Sequence, residues 1–161
     1  TLKQYNKATA IQFLENYLPN QPGDIIDIDT KEKVGEHIGL MYYTIGQRRG
    51  LHLGGHHEKS YVALKDLEHN ILYVASGNEN CYLYSNKAII EDFNFLTDDR
   101  PKKCTCKFRY RSHDVEIQVT YLENGDLELH YDQAKAVTPG QFCCLYQNDV
   151  CLGGGIIREV F

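Results

Sequence analysis

The second half of this chain is a series of short period-two segments separated by turn signals, and few folds accommodate such a series. Strands are expected near Cys104–Arg111, Val115–Leu122, Leu127–Tyr131, Gln141–Tyr146 and Val150–Arg158. Glu123-Asn124-Gly125-Asp126 reads as a hairpin turn, because Asn-Gly accepts the positive φ values such turns need. Thr138-Pro139-Gly140 and Asn148-Asp149 read as two further turns. Strands that follow one another through short turns predict an antiparallel barrel.

The first half reads differently. Thr9-Ala10-Ile11-Gln12 fits a capping box, Ile11, Leu14 and Leu18 recur at helical spacing, and Pro19 stops the run. One short helix is expected there. From Gly23 the period changes to two, with Ile26 and Ile28 alternating with Asp27 and Asp29. Tyr61–Leu64 and Ile71–Val74 are strand candidates joined by a turn at Asp66–Asn70, and Gly54–Lys59 (GGHHEK) reads as a loop. The fold class is mainly β. A small β-rich domain with a leading helix is expected over residues 1–84, and an antiparallel barrel over residues 85–161.

Three stretches are candidates for chemistry. Alternation along Cys104–Arg111 puts Cys104, Cys106, Phe108 and Tyr110 on one face and Thr105, Lys107, Arg109 and Arg111 on the other. Three cations two residues apart recur roughly every 6.5–7 Å, near the spacing of successive phosphates on a nucleic-acid strand. The plain alternative is a solvated outer face, partly neutralised by Glu116. Gln141, after a Thr-Pro-Gly turn, can donate to and accept from a base or ribose. In the loop Gly46-Gln47-Arg48-Arg49-Gly50, paired guanidiniums between glycines suit a phosphate or carboxylate, or else form a solvated turn.

Other features read as structural. Cys104-x-Cys106 and Cys143-Cys144 lack the spacing of a zinc site, and no metal is expected. Gly153-Gly154-Gly155 lacks the form of a phosphate loop and suits close strand packing. No apolar run approaches about 18 residues, so no membrane span is expected, and the six cysteines fit reduced thiols of a cytoplasmic protein. The net charge of −5 argues against RNA binding through bulk charge, so any such contact needs a local basic patch.

YTIGQRRGL resembles the signature at the centre of tRNA-specific 2-thiouridylases. FLENYLPNQPGDIIDIDT is similar to the family's approach to its middle domain. KDLEHNILYV, CKFRYRSHDV, AVTPGQFCCLY and DVCLGGGII are similar to its later blocks, in order, so the resemblance runs from about Phe13 to Ile157. It implies a central β-rich domain followed by an elongation-factor-like barrel. It also implies a parent transferase of tRNA modification that adenylates the wobble uridine at C2 with ATP and Mg and then transfers sulfur from a cysteine persulfide. The family's SGGxDSS loop and its two cysteines have no match here, and the chain opens on Thr1. The resemblance therefore implies a C-terminal fragment without catalytic residues or a cofactor of its own. Its expected partners are tRNA, an N-terminal catalytic domain and, for the parent, a sulfur-donor protein. The family positions matching Arg109, Tyr110 and Gln141 contact tRNA; Lys107 and Arg111 would assist at phosphates, and the Gly46–Gly50 loop would meet tRNA or another domain. The alternatives are a domain-docking β module without RNA contact and a cysteine-dependent enzyme.

Overall fold

The computed structural model describes residues 17–54, 58–110 and 112–161. The chain divides into two units, Thr1–Asn80 and Cys81–Phe161. The helix expected from Thr9 lies, through residue 16, outside the described residues, as do residues 55–57 of the GGHHEK loop and Arg111.

In the first unit, β1 (Gly23–Asp27), β2 (Lys33–His37), β3 (Ser60–Asp66) and β4 (Ile71–Ser76) form one sheet in the order β2-β1-β4-β3. β1 and β4 are parallel and the other pairs antiparallel. Ile25, Val62, Leu72 and Val74 are fully buried, and Tyr42, Tyr43 and Leu51 pack with them. Ile25, Ile28 and Asp27 are buried while Ile26 is half-buried, and a register irregularity sits between Ile25 and Ile26. A carboxylate tolerates that position because it is fully occupied. Asp27 Oδ1 accepts the N–H groups of Asp29 and Thr30, each at 3.0 Å, and Oδ2 accepts the Ser76 hydroxyl at 3.1 Å.

In the second unit, β5 (Tyr84–Phe95), β6 (Lys103–Lys107), β7 (Val115–Tyr121), β8 (Leu127–Lys135), β9 (Phe142–Gln147) and β10 (Val150–Val160) close a barrel in the order β10-β5-β8-β7-β6-β9. Every neighbouring pair is antiparallel. Alternate residues fill the interior, among them Ala88, Ile90, Cys106, Ile117, Leu127, Leu129, Cys143, Leu145 and Ile157. The mainly β reading holds, and so does the barrel. The triple glycine lies inside β10 because β5 and β9 approach closely: a Cβ on Gly153 would sit 2.2 Å from the Asn94 carbonyl oxygen, and one on Gly155 2.7 Å from Ile90 Cγ2. The Asn124-Gly125 turn needs positive φ only at Gly125 (φ 90), where the Gly125 N–H meets the Leu122 carbonyl at 3.0 Å. It is a three-residue loop with a bulge glycine rather than a primed two-residue turn.

Antiparallel closure gives the barrel two chemically distinct rims. The β6–β7 and β8–β9 connections, the start of β5 and the end of β10 share one rim. The β5–β6, β7–β8 and β9–β10 connections share the other. The first rim carries Lys87, Lys107, Arg109, Lys135 and Arg158, alongside Asp114, Asp132 and Glu159. The second carries Asp98, Asp99, Glu123, Asp126 and Asp149, against Arg100, Lys102 and Lys103, and its Asp126 is paired with Arg158. The acidic excess of this unit is thus concentrated away from its first rim.

Candidate nucleic-acid interface

The cationic strand begins as the alternation predicts but ends early. β6 stops at Lys107, so Phe108 is the last residue to follow the inward pattern; it is buried and packs on Tyr131 with ring centroids 4.9 Å apart. Beyond it the chain turns. The Ser112 N–H reaches the Arg109 carbonyl at 3.1 Å, and the Ser112 hydroxyl reaches the same oxygen at 2.9 Å. Tyr110, at the tip of this turn, is 90% exposed instead of facing the core. Arg109, expected outside, directs part of its guanidinium inward. Its Nη2 donates to Thr138 Oγ1 at 2.9 Å and to the Ala136 carbonyl. Burial pulls the Arg109 pKa below the ordinary arginine value.

Those two acceptors belong to the segment that presents Gln141. Thr138-Pro139-Gly140-Gln141 is a β-turn of type II shape, with Gly140 at φ 81 and the Gln141 N–H 3.2 Å from the Thr138 carbonyl. β10 holds it from the other side: the Gly140 N–H donates to Ile157 O at 2.7 Å, and the Ile157 N–H donates to Gln141 O at 2.8 Å. The β6–β9 ladder pairs Thr105 with Tyr146 and Lys107 with Cys144. The Arg109–Thr138 bond ties the segment after β6 to the turn that precedes Gln141. Arg109, Tyr110 and Gln141 all lie in connections of the first rim, and Arg109 is bonded into the segment that leads to Gln141.

Lys107 faces outward and pairs with Asp114, Nζ to Oδ1 at 2.7 Å, so its charge is shared rather than displayed alone. Arg111 lies outside the described residues. The surface also includes a residue that the sequence reading does not single out. Phe142, the first residue of β9, is 70% exposed. The signal was available: Cys143 and Leu145 are inward, so 142, 144 and 146 must be outward.

The glycine-arginine loop belongs to the first unit. Tyr42 and Tyr43 lead into it as buried anchors, the Tyr42 hydroxyl donating to Leu18 O at 3.0 Å. Gly46 (φ 79) makes a second turn of the same shape, closed by the Gln47 N–H on Thr44 O at 2.9 Å. The Gln47 amide then bonds the Thr44 N–H at 3.2 Å and the Arg49 carbonyl at 2.9 Å. Gln47 is therefore part of the scaffold of this loop, and with Gly50 at φ 79 it presents Arg48 and Arg49 to solvent.

The thiols suit packing better than reaction. Cys106 and Cys143 are buried. Burial pushes the Cys104 thiol up to about 11 and the Cys106 thiol well above its ordinary value, with Cys143 beside it adding to the rise. Neutral, enclosed thiols are poor nucleophiles and poor metal ligands.

Comparison with known proteins gives two family matches that tile the chain. Residues 11–76 match the tRNA methyl transferase PRC-barrel domain, and residues 85–157 match the aminomethyltransferase beta-barrel domain. Among curated relatives, a tRNA-specific 2-thiouridylase (MnmA) of Mesoplasma florum is 49% identical over 92% of this chain and 42% of its own length. The protein of the same name from Geobacillus thermodenitrificans is 49% identical over 93% of this chain and 41% of its own length. That of Mycoplasmopsis pulmonis is 46% identical over 92% and 41%. The chain spans about two fifths of the length of the curated relatives it matches.

Proposed function

The chain belongs to the tRNA-specific 2-thiouridylase family, and we propose that its residues hold and position a tRNA whose wobble uridine is thiolated at C2 by groups outside this chain. The observation that supports the reading is the Arg109–Thr138 bond, which ties the connection carrying exposed Tyr110 to the turn that presents half-buried Gln141. Tyr110 offers a ring and a hydroxyl; the Gln141 amide offers a donor and an acceptor on a turn anchored from both sides. Lys135 adds positive charge at this rim, Lys107 shares its charge with Asp114, and most of the loop carboxylates of the barrel lie at the other rim. A net charge of −5 is compatible with RNA binding under such a distribution, because phosphate attraction is screened within about 8 Å at physiological salt.

Adenylation by ATP with Mg and persulfide transfer from a sulfur donor are assigned, in this reading, to a catalytic domain of the parent enzyme. In this reading the triple glycine serves close strand packing, and no step is assigned to the buried thiols. The contribution of this chain is orientation: holding the reacting base in place can lower a barrier without touching the reacting atoms. Among the described residues no helix is long and apolar enough to cross a membrane.

The test is tRNA binding by the chain and by its Tyr110→Ala and Gln141→Ala variants. Each substitution is expected to weaken binding about five- to tenfold, the scale of one lost stacking or hydrogen-bonding contact, with the melting temperature unchanged for exposed Tyr110. Unaltered affinity in both would favour a docking role in which the rim meets protein.

A further inference from the structure

We propose that Phe142 and Tyr110 form a stacking site for unpaired nucleobases of the bound RNA. The inference rests on the RNA-holding reading above and names what the rim grips. Phe142 is 70% exposed although it opens a barrel strand whose next inward residues, Cys143 and Leu145, are almost completely enclosed. Its ring is directed outward by the pleat and contributes nothing to the barrel core. Tyr110 is 90% exposed at the tip of a turn pinned through Arg109.

The β6–β9 ladder pairs Lys107 with Cys144, and the Arg109–Thr138 bond ties the turn carrying Tyr110 to the segment that leads to Phe142. Gln141 lies between them in sequence space, one residue before Phe142 and on the anchored turn. Lys107 stands on the outer face of the same two-stranded ribbon. Two exposed rings and an amide on a rim where cations outnumber carboxylates form the combination that takes a single-stranded segment: bases stack on the rings while the backbone follows the charges. A base-paired helix hides its base faces and gains nothing from the rings. The cations favour a polyanion over an apolar protein surface as the occupant.

The experiment uses the whole chain, a short RNA oligonucleotide with unpaired bases, and the same oligonucleotide annealed to its complement. Phe142→Leu keeps an apolar side chain and removes the ring. It is expected to weaken binding of the unpaired oligonucleotide by about five- to 150-fold while leaving duplex binding, salt dependence and melting temperature unchanged. The chain contains no tryptophan, so Phe142→Trp adds a single indole. That variant is expected to bind at least as tightly and to lose fluorescence as bases stack on it. Equal affinity of wild type and Phe142→Leu for the unpaired oligonucleotide would overturn the proposal, as would an equal loss for both RNA forms or an indole emission that binding leaves unchanged. Absence of RNA binding by the wild-type chain would overturn the RNA-holding reading and this inference together; binding with a neutral Phe142→Leu overturns this inference alone.

Discussion

The Arg109 guanidinium donates to the Thr138 hydroxyl at 2.9 Å and so ties the end of β6 to the turn that presents Gln141. Thr138 is itself buried, and its hydroxyl donates onward to the Ala136 carbonyl at 3.0 Å. A residue expected to meet phosphate thus also braces the neighbouring contact loop. A double-mutant cycle separates these roles. Arg109→Ala and Thr138→Val should each destabilise the chain by about 1–3 kcal/mol through an unsatisfied buried partner, with a coupling energy of about 0.5–3 kcal/mol by urea denaturation. Thr138→Val should also reproduce part of the loss of RNA affinity. Additive effects, with affinity lost only in Arg109→Ala, would return Arg109 to a purely phosphate-facing role.

Gly140 and Gly125 form a matched pair on opposite rims. Both have positive φ, 81 and 90, and a Cβ on either would meet open space. Alanine at each should therefore cost about 1–2 kcal/mol from backbone conformation alone. Gly140→Ala should also weaken RNA binding, because it displaces Gln141, whereas Gly125→Ala should not. Thermal melts and binding isotherms on the two variants check this.

Asp27 gives the first unit an acid dependence of defined sign. Burial pushes its carboxyl up, but the N–H groups of Thr30 and Asp29 and the Ser76 hydroxyl together bring it below the usual carboxylate range. A depressed pKa contributes stability that is present above about 3.9 and lost as pH falls through the folded value. Asp27→Asn should be less stable than wild type at pH 7, with the gap narrowing towards pH 3. Urea midpoints at the two pH values measure it, and a constant gap would contradict it.

The barrel thiols act in the opposite direction. Burial raises the Cys104 thiol to about 11 and raises Cys106 too, whereas an unfolded thiol ionises near 8.5. Their contribution is complete below about 8.5 and is lost as pH rises, because only the unfolded chain can then release the protons. Labelling with a maleimide at pH 7.5 should modify exposed Cys81 rapidly and Cys106 and Cys143 only on unfolding. Fast modification of Cys106 in the native chain would show the barrel to be open.

The sequence was most legible where burial obeyed a strict period. Inward Ile117 and Val119 on β7, and Leu127, Leu129 and Tyr131 on β8, follow from alternation alone. β8 runs on to Lys135 beyond the expected end at Tyr131, since Asp132, Gln133 and Lys135 are exposed or half-buried positions that hide a strand in composition. β5 was not among the expected strands: Ala88, Ile89 and Ile90 are all buried in succession, which blurs the period. At the rim, the type of each residue was visible but its direction was not. Early termination of β6 exchanges the orientations of Arg109 and Tyr110, and that depends on a tertiary bond to Thr138 that no local pattern encodes.

The central claim is that one rim of the barrel, not the charge of the whole chain, attracts RNA. The salt dependence of tRNA affinity for Lys135→Glu, on the first rim, and Lys102→Glu, on the second, tests it most directly, because both alter net charge equally. Lys135→Glu should bind tRNA more weakly with a salt slope shallower by about one, and Lys102→Glu should match wild type. Equal losses in the two variants, or none in either, would contradict the account.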